Sequence, residues 1–418
     1  MRVAVVGSGI SGLMCAHVLG RHHEVTVFEA DDRAGGHAHT SRVTVAGREH
    51  AVDTGFIVYN EQTYPIFSRL IADLGVETRP TEMSFSVSDE GAGIEWASTS
   101  VQSVFAQPRN LVRPSFLRML EEVLRFNRAA RDLLSRSGNS DLTIGAFLSS
   151  GGWSEEFLEW YLVPMGAAIW SADPGEFLEF PAVALATFFE SHGLLQVAGR
   201  PTWRTIVGGS ATYVRAIVEP LGERMRLGAG VDKVVRRASG VELATIGGDV
   251  ESFDHVVIAT HSDQALRVLS DPTPAERDVL GAIRYRPNVA TLHTDARMLP
   301  TRRRARASWN WRRRPDISGA TLTYDLGRLQ GLTSEVPICL TLNEPTAVAP
   351  DTVIETMTYL HPIFDAAAMR AQRRHGEISG RDGVSYCGAY WGYGFHEDGA
   401  RSAIEVCRTL GVTWPVAP

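Results

Sequence analysis

The sequence predicts an α/β fold in which a parallel, Rossmann-like sheet is joined to a discontinuous, mixed α+β substrate domain. An apolar, β-branched run at residues 3–6 leads directly into a glycine-rich turn, and a second strand is predicted at 24–28. A third buried run, FDHVVIAT, covers residues 253–260. Such continuous apolar runs are typical of parallel strands that are covered on both faces. The 418 residues are enough for two domains of ordinary size.

Gly7, Gly9 and Gly12 form a GxGxxG motif between the first predicted strand and a helix. In this context the first glycine permits a tight turn, the second lets a pyrophosphate approach the backbone, and the third lets the helix lie close to the strand. Glu29 ends the second strand, where a carboxylate can accept both ribose hydroxyls and disfavours the 2′-phosphate of NADP. These residues, together with Ser11 and Ala30, predict a site for NAD or FAD.

Composition narrows the class of protein and its compartment. Hydrophobic residues make up 44% of the chain and charged residues 21%, as in ordinary globular proteins, and the net charge of −7 argues against a nucleic-acid binder. The four cysteines are far apart without a CxxC pair, so we expect neither a metal site nor disulfides, and a reducing cytoplasm. The first strand follows Met1 directly and no run of eighteen apolar residues occurs, so we expect no signal peptide and only peripheral membrane contact at the inner face.

Two segments after the second strand resemble the FAD-dependent amine oxidase and phytoene desaturase superfamily. One is Arg33-Ala34-Gly35-Gly36-His37, and the other is Val52-Asp53-Thr54-Gly55. The resemblance implies that FAD is the cofactor, with Arg33, Gly35, Gly36 and His37 along its pyrophosphate and ribityl chain and Asp53, Thr54 and Gly55 beside the flavin. No cysteine lies in a segment that suggests covalent attachment, so we expect noncovalent FAD.

The resemblance continues in the middle and at the end of the chain. Val231 matches the position that packs on the adenine, and GAYWGYGFHEDG at 388–399 matches the carboxyl-terminal cofactor segment, which implies contacts from Gly388, Glu397 and Asp398. It further implies a glutathione-reductase-type FAD domain built from residues 1–60, 200–265 and 377–418. The substrate domain would then comprise residues 61–199 and 266–376.

Four segments resemble more closely a bacterial subgroup of NAD/FAD-binding oxidoreductases, often encoded beside cyclopropane-fatty-acid synthases and in some cases implicated in desaturating methyl-branched acyl chains. They are TYDLGRLQ at 323–330, LTLNEP at 340–345, HPIF at 361–364 and the segment 388–399. The chain departs from the subgroup at residues 324–327, where Tyr-Asp-Leu-Gly replaces a Tyr-Trp-Met-Asn type of sequence. It also has no confident counterpart of the flavin-site lysine of many polyamine-type oxidases.

These resemblances imply an FAD-dependent desaturase or dehydrogenase of lipid acyl chains. His396 is the first candidate for the base, although a histidine that only hydrogen-bonds the cofactor or the loop fits as well. Tyr393 and Trp391, with Tyr390, are candidates for the wall of the substrate channel. Three alternatives stay open: an acyl double-bond isomerase, an amine or amino-acid oxidase, and a non-catalytic FAD-bearing partner of a lipid-modifying enzyme.

Two arginine-rich stretches raise the question of membrane contact. Residues 113–135 form a predicted amphipathic helix, which either covers the substrate domain or lies on anionic lipid. Around Trp309 and Trp311 lies a second group, which is either a solvated loop or a patch that meets phospholipid headgroups; it comprises Arg302, Arg303, Arg304, Arg312, Arg313 and Arg314. The aromatic residues of the region 153–189 form either a core or an apolar tunnel. The oligomeric state is not predicted.

Overall fold

The computed structural model describes residues 1–136, 142–170, 174–196, 199, 201–314 and 320–414. Its strands are β1 (Arg2–Val6), β2 (Glu24–Phe28), β3 (Thr40–Val45), β4 (Arg48–Asp53), β5 (Tyr59–Asn60), β6 (Thr78–Pro80), β7 (Phe85–Asp89), β8 (Ile94–Ala97), β9 (Trp203–Ile206), β10 (Met225–Arg226), β11 (Val231–Arg237), β12 (Gly240–Thr245), β13 (Val250–Phe253), β14 (His255–Ile258), β15 (Tyr285–His293), β16 (Trp309–Arg313), β17 (Ala320–Asp325), β18 (Cys339–Leu342), β19 (Val353–Pro362) and β20 (Val384–Tyr386). Its helices are α1 (Ile10–Leu19), α2 (Pro65–Asp73), α3 (Val101–Val104), α4 (Pro114–Arg136), α5 (Ile144–Ser149), α6 (Glu155–Phe157), α7 (Val163–Trp170), α8 (Pro174–Leu178), α9 (Ala182–Ser191), α10 (Ala211–Val218), α11 (Ser262–Val268), α12 (Pro274–Gly281), α13 (Leu326–Gln330), α14 (Ala366–Gln372), α15 (His375–Ile378) and α16 (His396–Thr409).

A five-stranded parallel sheet in the order β10-β2-β1-β14-β20 confirms the predicted Rossmann-like element. Val3 and Val5 of β1 are fully buried, and β1 pairs with β2 on one side and β14 on the other. The strands are apolar throughout because both faces of the sheet are covered by helices. The α/β class is therefore as the sequence predicted.

Two apolar cores cover the faces of this sheet. On one face α1, α10 and α16 pack together with α2, whose Phe67 and Leu70 are fully buried beside Leu13. On the other face lie α11, α12, α14 and α15. Helices α2, α12 and α14, and the first half of α15, come from segments that the sequence analysis placed in the substrate domain. Their apolar faces are nevertheless buried against the parallel sheet.

A second, seven-stranded sheet has the order β19-β15-β18-β17-β16-β7-β8. Its pairings are antiparallel except for β7 with β16, which come from distant parts of the chain. Helices α4, α5, α6 and α9 share an aromatic core with it, in which Phe116, Phe126, Phe157 and Phe189 are almost fully buried. The helix predicted at 113–135 corresponds to α4. Among the described residues, no helix is both long and apolar enough to span a lipid bilayer.

Candidate functional site

A cavity of about 1570 Å³ extends from the carboxyl edge of the parallel sheet to the helices that pack on the mixed sheet. One end is lined by the turn after β1, the end of β2 and the start of β11. The other end is lined by apolar side chains of α3, α4, α7 and α9. Ligands of open α/β sheets bind outside the carboxyl ends of the strands, so this is the expected place for a nucleotide.

The glycine-rich turn leaves the start of α1 open to the cavity. Gly7 has a φ of 98°, a conformation that side chains disfavour. A Cβ on Gly12 would lie 1.9 Å from the carbonyl oxygen of Gly7, so only glycine allows α1 to approach β1 this closely. Gly9 has no atom within 4 Å of its Cβ position, so a ligand can reach the backbone there. The helix start can therefore present its N–H groups to a phosphate.

Glu29 is held at the same edge of the cavity by its neighbours. The backbone N–H and hydroxyl of Ser8 donate to one carboxylate oxygen over 2.8 and 2.5 Å, and the N–H of Asp31 donates to the other over 3.0 Å. Ala30 and Val231 line the cavity beside it. The carboxylate is thus fixed at the position where a ribose would bind.

His37 and His261 flank the glycine turn from opposite sides. His37 follows Gly36, which lies against Gly9, and His261 follows Thr260, which lies against Gly7. Both histidines are therefore beside the turn. The two imidazole rings are 6.1 Å apart, and Nε2 of His37 and Nδ1 of His261 are both buried without a hydrogen-bond partner. Burial lowers the pKa of both histidines below the ordinary value, which keeps them neutral. Both rings can therefore donate or accept a hydrogen bond from a ligand at the turn.

His396 lines the middle of the cavity, but its surroundings do not favour a role as a general base. Its ring stacks on Phe56 with centroids 3.5 Å apart, and its Nε2 lies 3.1 Å from the hydroxyl of Tyr213. Burial lowers the pKa of His396 to about 3. A base with so low a pKa accepts a proton poorly near neutral pH. The structure instead fits the alternative in which this ring packs and hydrogen-bonds.

Fourteen of the twenty-one predicted site residues line the cavity: Gly7, Gly9, Ser11, Glu29, Ala30, Arg33, Gly36, His37, Gly55, Val231, Gly388, Tyr390, Tyr393 and His396. Arg33 also donates a hydrogen bond to the carbonyl of Gly36 over 3.0 Å, which ties the turn that follows β2. The other seven lie outside the lining: Gly12, Gly35, Asp53, Thr54, Trp391, Glu397 and Asp398.

Asp53 turns away from the cavity. Its carboxylate accepts hydrogen bonds from the Thr40 hydroxyl over 2.6 Å and from the Ser210 N–H and hydroxyl over 2.8 Å, at the start of α10. Burial raises its pKa to about 6. Thr54 lies 2.7 Å, hydroxyl to hydroxyl, from Tyr359. Asp53 therefore joins β4 to α10 instead of contacting the cavity, because these donors compensate for its burial.

The acidic pair at the start of α16 also has structural partners. Glu397 accepts hydrogen bonds from the N–H groups of Ile66 and Phe67 over 3.1 and 3.0 Å, and so caps α2. Asp398 accepts from the N–H groups of Tyr393 and Phe395 over 2.9 and 3.1 Å. These bonds shape the loop before α16.

Trp391 likewise points elsewhere. Its ring packs on those of His375 and Tyr390, with centroids 4.4 and 4.8 Å apart, and it does not line the cavity. Tyr393 does line it, with its ring 6.3 Å from that of Phe188. Of the three predicted channel walls, Tyr390 and Tyr393 line the cavity and Trp391 does not.

Several lining residues were missed by the sequence analysis. Tyr359 and His361 lie on β19, two positions apart and so on one face of the strand, and the rings of both lie within 5.5 Å of that of His37. Their spacing and the position of His261 directly after a buried strand were the available signals. Phe56 gave no signal, because its stacking on His396 joins residues more than three hundred positions apart.

The far end of the cavity is predominantly apolar. Its lining includes Phe85, Trp96, Val104, Phe105, Leu120, Val123, Tyr161, Met165, Ile169, Phe188, Trp309 and Tyr324. Among the described residues that line this end, Glu82 carries a charged side chain, and its carboxylate forms an ion pair with Arg328 over 3.2 Å. Asn127 contributes a buried side-chain oxygen without a partner. The arrangement suits a long apolar group better than a free ammonium ion.

Neither a metal centre nor a reactive thiol is found at the cavity. Over the described ranges, no group of three or more His, Cys, Asp or Glu side chains could hold a metal ion. All four cysteines are buried, and none of them is among the lining residues.

The model of the family of flavin containing amine oxidoreductases matches residues 10–311 of the chain. The Mycobacterium tuberculosis protein AofH, which carries the name of a flavin-containing monoamine oxidase, is 26% identical over 287 residues, 66% of this chain and 60% of that protein. The flavin-dependent L-tryptophan oxidase RebO of Lentzea aerocolonigenes is 27% identical over 291 residues, 64% of this chain and 56% of RebO. The chain thus spans about 60% of the length of the first of these relatives.

Solved structures share the fold over almost the whole chain. Cyclohexylamine oxidase from Brevibacterium oxydans has a TM-score of 0.70 at 18% identity, covering 98% of this chain and 99% of that one. The fatty acid isomerase from P. acnes that produces CLA has a TM-score of 0.70 at 15% identity, covering 97% and 98%. At these identities the likeness shows the fold.

The residues at the sheet end of the cavity fit FAD, the cofactor expected in a flavin-containing family. The open backbone at Gly9 and the unpartnered nitrogens of His37 and His261 can meet a diphosphate. Glu29 can meet the ribose, and Val231 offers an apolar contact to a base.

Proposed function

Because the chain belongs to the flavin-containing amine oxidoreductase family, we propose that it is an FAD-dependent desaturase or dehydrogenase of methyl-branched or unsaturated lipid acyl chains. The observation that carries this proposal is the apolar end of the cavity. Glu82, the charged residue among the described lining residues of that end, already forms an ion pair with Arg328. An acyl chain matches such a lining because its burial is favourable by about 0.8 kcal/mol per methylene.

Noncovalent binding of FAD is part of the proposal, since no cysteine lines the cavity. When bound, FAD supplies two-electron redox chemistry by accepting a hydride, while a proton leaves the substrate and oxygen or a carrier finally takes the electrons. The chain's own residues hold the cofactor at the glycine turn and exclude water from the acyl end. Phe188, Trp309 and Tyr324 would restrict the position of the bound acyl chain and so align its reacting carbon.

The family name and the named relatives favour oxidation of an amine or amino acid as the second candidate. An ammonium group would require a free carboxylate or aromatic faces at the apolar end. Glu82 already pairs with Arg328 there, whereas Trp309 and Tyr324, with ring centroids 5.1 Å apart, offer aromatic faces. An acyl double-bond isomerase would use the same cavity. The name of the P. acnes fold neighbour makes this a specific alternative. A non-catalytic FAD-bearing partner of a lipid-modifying enzyme would also need the end of the cavity that binds the nucleotide.

The decisive experiment is anaerobic absorbance of the FAD-loaded protein after addition of acyl lipids or a panel of amines and amino acids. We expect the flavin to bleach with detergent-dispersed methyl-branched or unsaturated lipids, and the recovered lipid to have gained a double bond. Bleaching by an amine alone would establish the oxidase. A moved double bond without net bleaching would establish the isomerase, and a flavin that no substrate changes would point to the non-catalytic role.

A pair of variants on α4 tests the apolar end directly. Leu120 lines the cavity, whereas Leu117 lies one turn earlier on the outer face and is 42% exposed. We expect Leu120→Trp to slow flavin reduction by an acyl lipid about tenfold, because overpacking of a filled site costs about 1–3 kcal/mol. Leu117→Trp should leave the rate in detergent unchanged. Equal rates for both variants would contradict acyl binding at this end.

A further inference from the structure

The cavity opens to the surface at the start of α3. Val101 lines the cavity and yet is 75% exposed, and the two residues before it, Thr99 and Ser100, are likewise exposed lining residues. Val104 and Phe105 continue the lining inward. A side chain that belongs to both the cavity and the solvent marks the mouth.

Exposed apolar side chains lie on the elements that pack beside this mouth, since the ring of Phe105 lies 6.0 Å, centroid to centroid, from that of Phe116 in α4. Leu111 is 55% exposed and Val112 is 80% exposed, in the turn before α4. Leu117 and Leu124, one heptad apart on α4, are 42% and 48% exposed. We call Val101, Leu111, Val112, Leu117 and Leu124 the mouth surface. A helix of a soluble protein normally turns its leucines inward, whereas α4 presents leucine to the cavity and to solvent alike.

Positive charge is concentrated in the same segment. Residues 101–136 contain seven arginines and three acidic residues, in a chain whose net charge is −7, although Arg118, Arg125 and Arg131 pair with Glu156, Glu122 and Glu190. Arg128 is exposed on α4, and Arg113 donates to the carbonyl of Ala92, with no acidic partner for either in the described part of the chain. Apolar side chains with arginine around them are typical of surfaces that bind anionic lipid.

The arginine group that the sequence analysis singled out contributes only in part. Arg302 pairs with Glu95, Arg312 with Glu90, and Arg313 with Asp89 and Glu159, so their charges are largely compensated; Arg314 is also engaged. The short helical turn Arg303–Ala305 contacts α3 beside the mouth. Arg303 and Arg304 are exposed there, without an acidic partner among the residues that the structure describes.

We propose that the mouth surface docks on an anionic phospholipid bilayer, so that an acyl chain passes from the membrane into the cavity at Val101. This inference rests on the proposed acyl substrate. The exposed leucines and valines enter the headgroup region, and Arg128, Arg303 and Arg304 meet the phosphates. Docking by a surface that contains the mouth spares the acyl chain from crossing water.

Vesicle co-sedimentation of the FAD-loaded protein tests the docking without any turnover. We expect binding to vesicles that contain phosphatidylglycerol, weaker binding to pure phosphatidylcholine, and release by salt. Arg303→Gln/Arg304→Gln should weaken binding about twenty-five-fold, because each basic residue near an anionic surface contributes a factor of about five. Val112→Glu/Leu117→Glu should abolish it.

Matched controls carry the same changes on other surfaces. Val250 and Leu227 are 58% and 45% exposed, so Val250→Glu/Leu227→Glu places two acids at exposed apolar positions away from the mouth surface. Arg42→Gln/Arg48→Gln removes two exposed arginines from the β3–β4 hairpin. Both controls should bind like the wild type. Equal losses of binding in the controls, or a wild-type protein that binds no vesicle, would overturn the proposal. A mouth-surface variant that changes the oligomeric state in light scattering would also overturn it, because the surface would then join two copies of the protein.

The outcome is separable from that of the proposed function. If detergent-dispersed lipid bleaches the flavin but vesicles do not bind, the docking proposal fails and the acyl substrate stands. If vesicles bind through the mouth surface but lipids leave the flavin oxidised, the docking stands and the acyl substrate fails.

Discussion

The imidazole ring of His396 stacks on the phenyl ring of Phe56, with centroids 3.5 Å apart and an angle of 12° between the planes. Together with the bond to Tyr213, this stack holds the first residue of α16 in the middle of the cavity. The ring is neutral, since burial lowers its pKa to about 3. We therefore expect His396 to be a positioning residue.

His396→Phe and Tyr213→Phe remove the same hydrogen bond and are a matched pair. We expect both variants to slow flavin reduction by less than about tenfold and to a similar extent, because one hydrogen bond contributes about 0.5–1.5 kcal/mol. Stopped-flow reduction over a range of pH measures this. A general base contributes about 10²–10⁴-fold, so a far larger loss in His396→Phe alone would restore the catalytic assignment.

Glu29→Ala should weaken FAD binding about tenfold to a hundredfold, because hydrogen bonds to a charged group contribute about 1.5–3 kcal/mol. The control is Glu24→Ala, at the opposite, exposed end of the same strand. Fluorescence titration of the apoprotein with FAD gives both dissociation constants. Equal affinities for the two variants would mean that Glu29 only supports the turn through Ser8.

His37→Leu and His261→Leu test whether the two unpartnered nitrogens face the diphosphate. Each substitution should weaken FAD binding about fivefold, the effect of losing one hydrogen bond. His50 offers the control, since its Nε2 is also buried without a partner but lies outside the cavity lining. Calorimetric titration with FAD should distinguish these two variants from His50→Leu, which we expect to bind FAD as tightly as the wild type. A His37 variant that binds as tightly would place the diphosphate elsewhere.

Glu397 should prove important for stability and not for cofactor affinity. Glu397→Ala leaves the N–H groups of Ile66 and Phe67 without their acceptor and should lower the free energy of unfolding by about 2 kcal/mol. Burial raises the pKa of Glu397 to about 7, so the neutral amide of Glu397→Gln should be tolerated at a cost below about 1 kcal/mol. Urea unfolding measures both. An FAD affinity that falls with unchanged stability would show that Glu397 contacts the cofactor after all.

Stability should fall as the pH is lowered from 7 to 5. Burial lowers the pKa of four histidines to about 4: His192, His255, His293 and His361. Between pH 6.5 and 4 the unfolded chain binds protons that the folded chain excludes, so stability is lost as the pH falls through this window. Each such histidine contributes up to about 2 kcal/mol of this loss at pH 5. Asp53 and Glu397, whose pKa values burial raises to about 6 and about 7, act in the opposite direction over this window, but the four histidines together outweigh them.

His255 is the most direct test, because its Nε2 lies 2.9 Å from the Ser385 hydroxyl, between two strands of the parallel sheet. His255→Gln keeps a polar group there without a titrating ring, and should make urea unfolding less dependent on pH. The same change at His22, which is exposed, should leave the pH dependence as in the wild type. Identical slopes for His255→Gln and wild type would refute the assignment.

Local sequence predicted the nucleotide end of the cavity well. The run into Gly7, the packing of Gly12 and the position of Glu29 depend on a single β-turn-α-β unit, whose geometry follows from neighbouring residues. Helix α4 was likewise visible from its apolar periodicity. These features are local, so their physical causes lie within a window of about thirty residues.

Long-range packing decided the rest. Asp53 lies at the end of a strand, and Glu397 and Asp398 lie at the start of a helix. Their carboxylates, however, accept hydrogen bonds from backbone N–H groups that only the folded chain brings to them. The pairing of Arg312 with Glu90 and of Arg302 with Glu95 joins residues more than two hundred positions apart. No periodicity or motif carries such information.

The sequence by itself therefore determined the fold class and the dinucleotide end of the site, because short-range sterics and hydrogen bonding specify a strand, a glycine turn and a helix. Only the tertiary structure decided which polar side chains face the cavity, where the cavity opens and which arginines stay free of acidic partners. A buried charge takes whatever donor the packing brings to it, and that donor comes from another part of the chain.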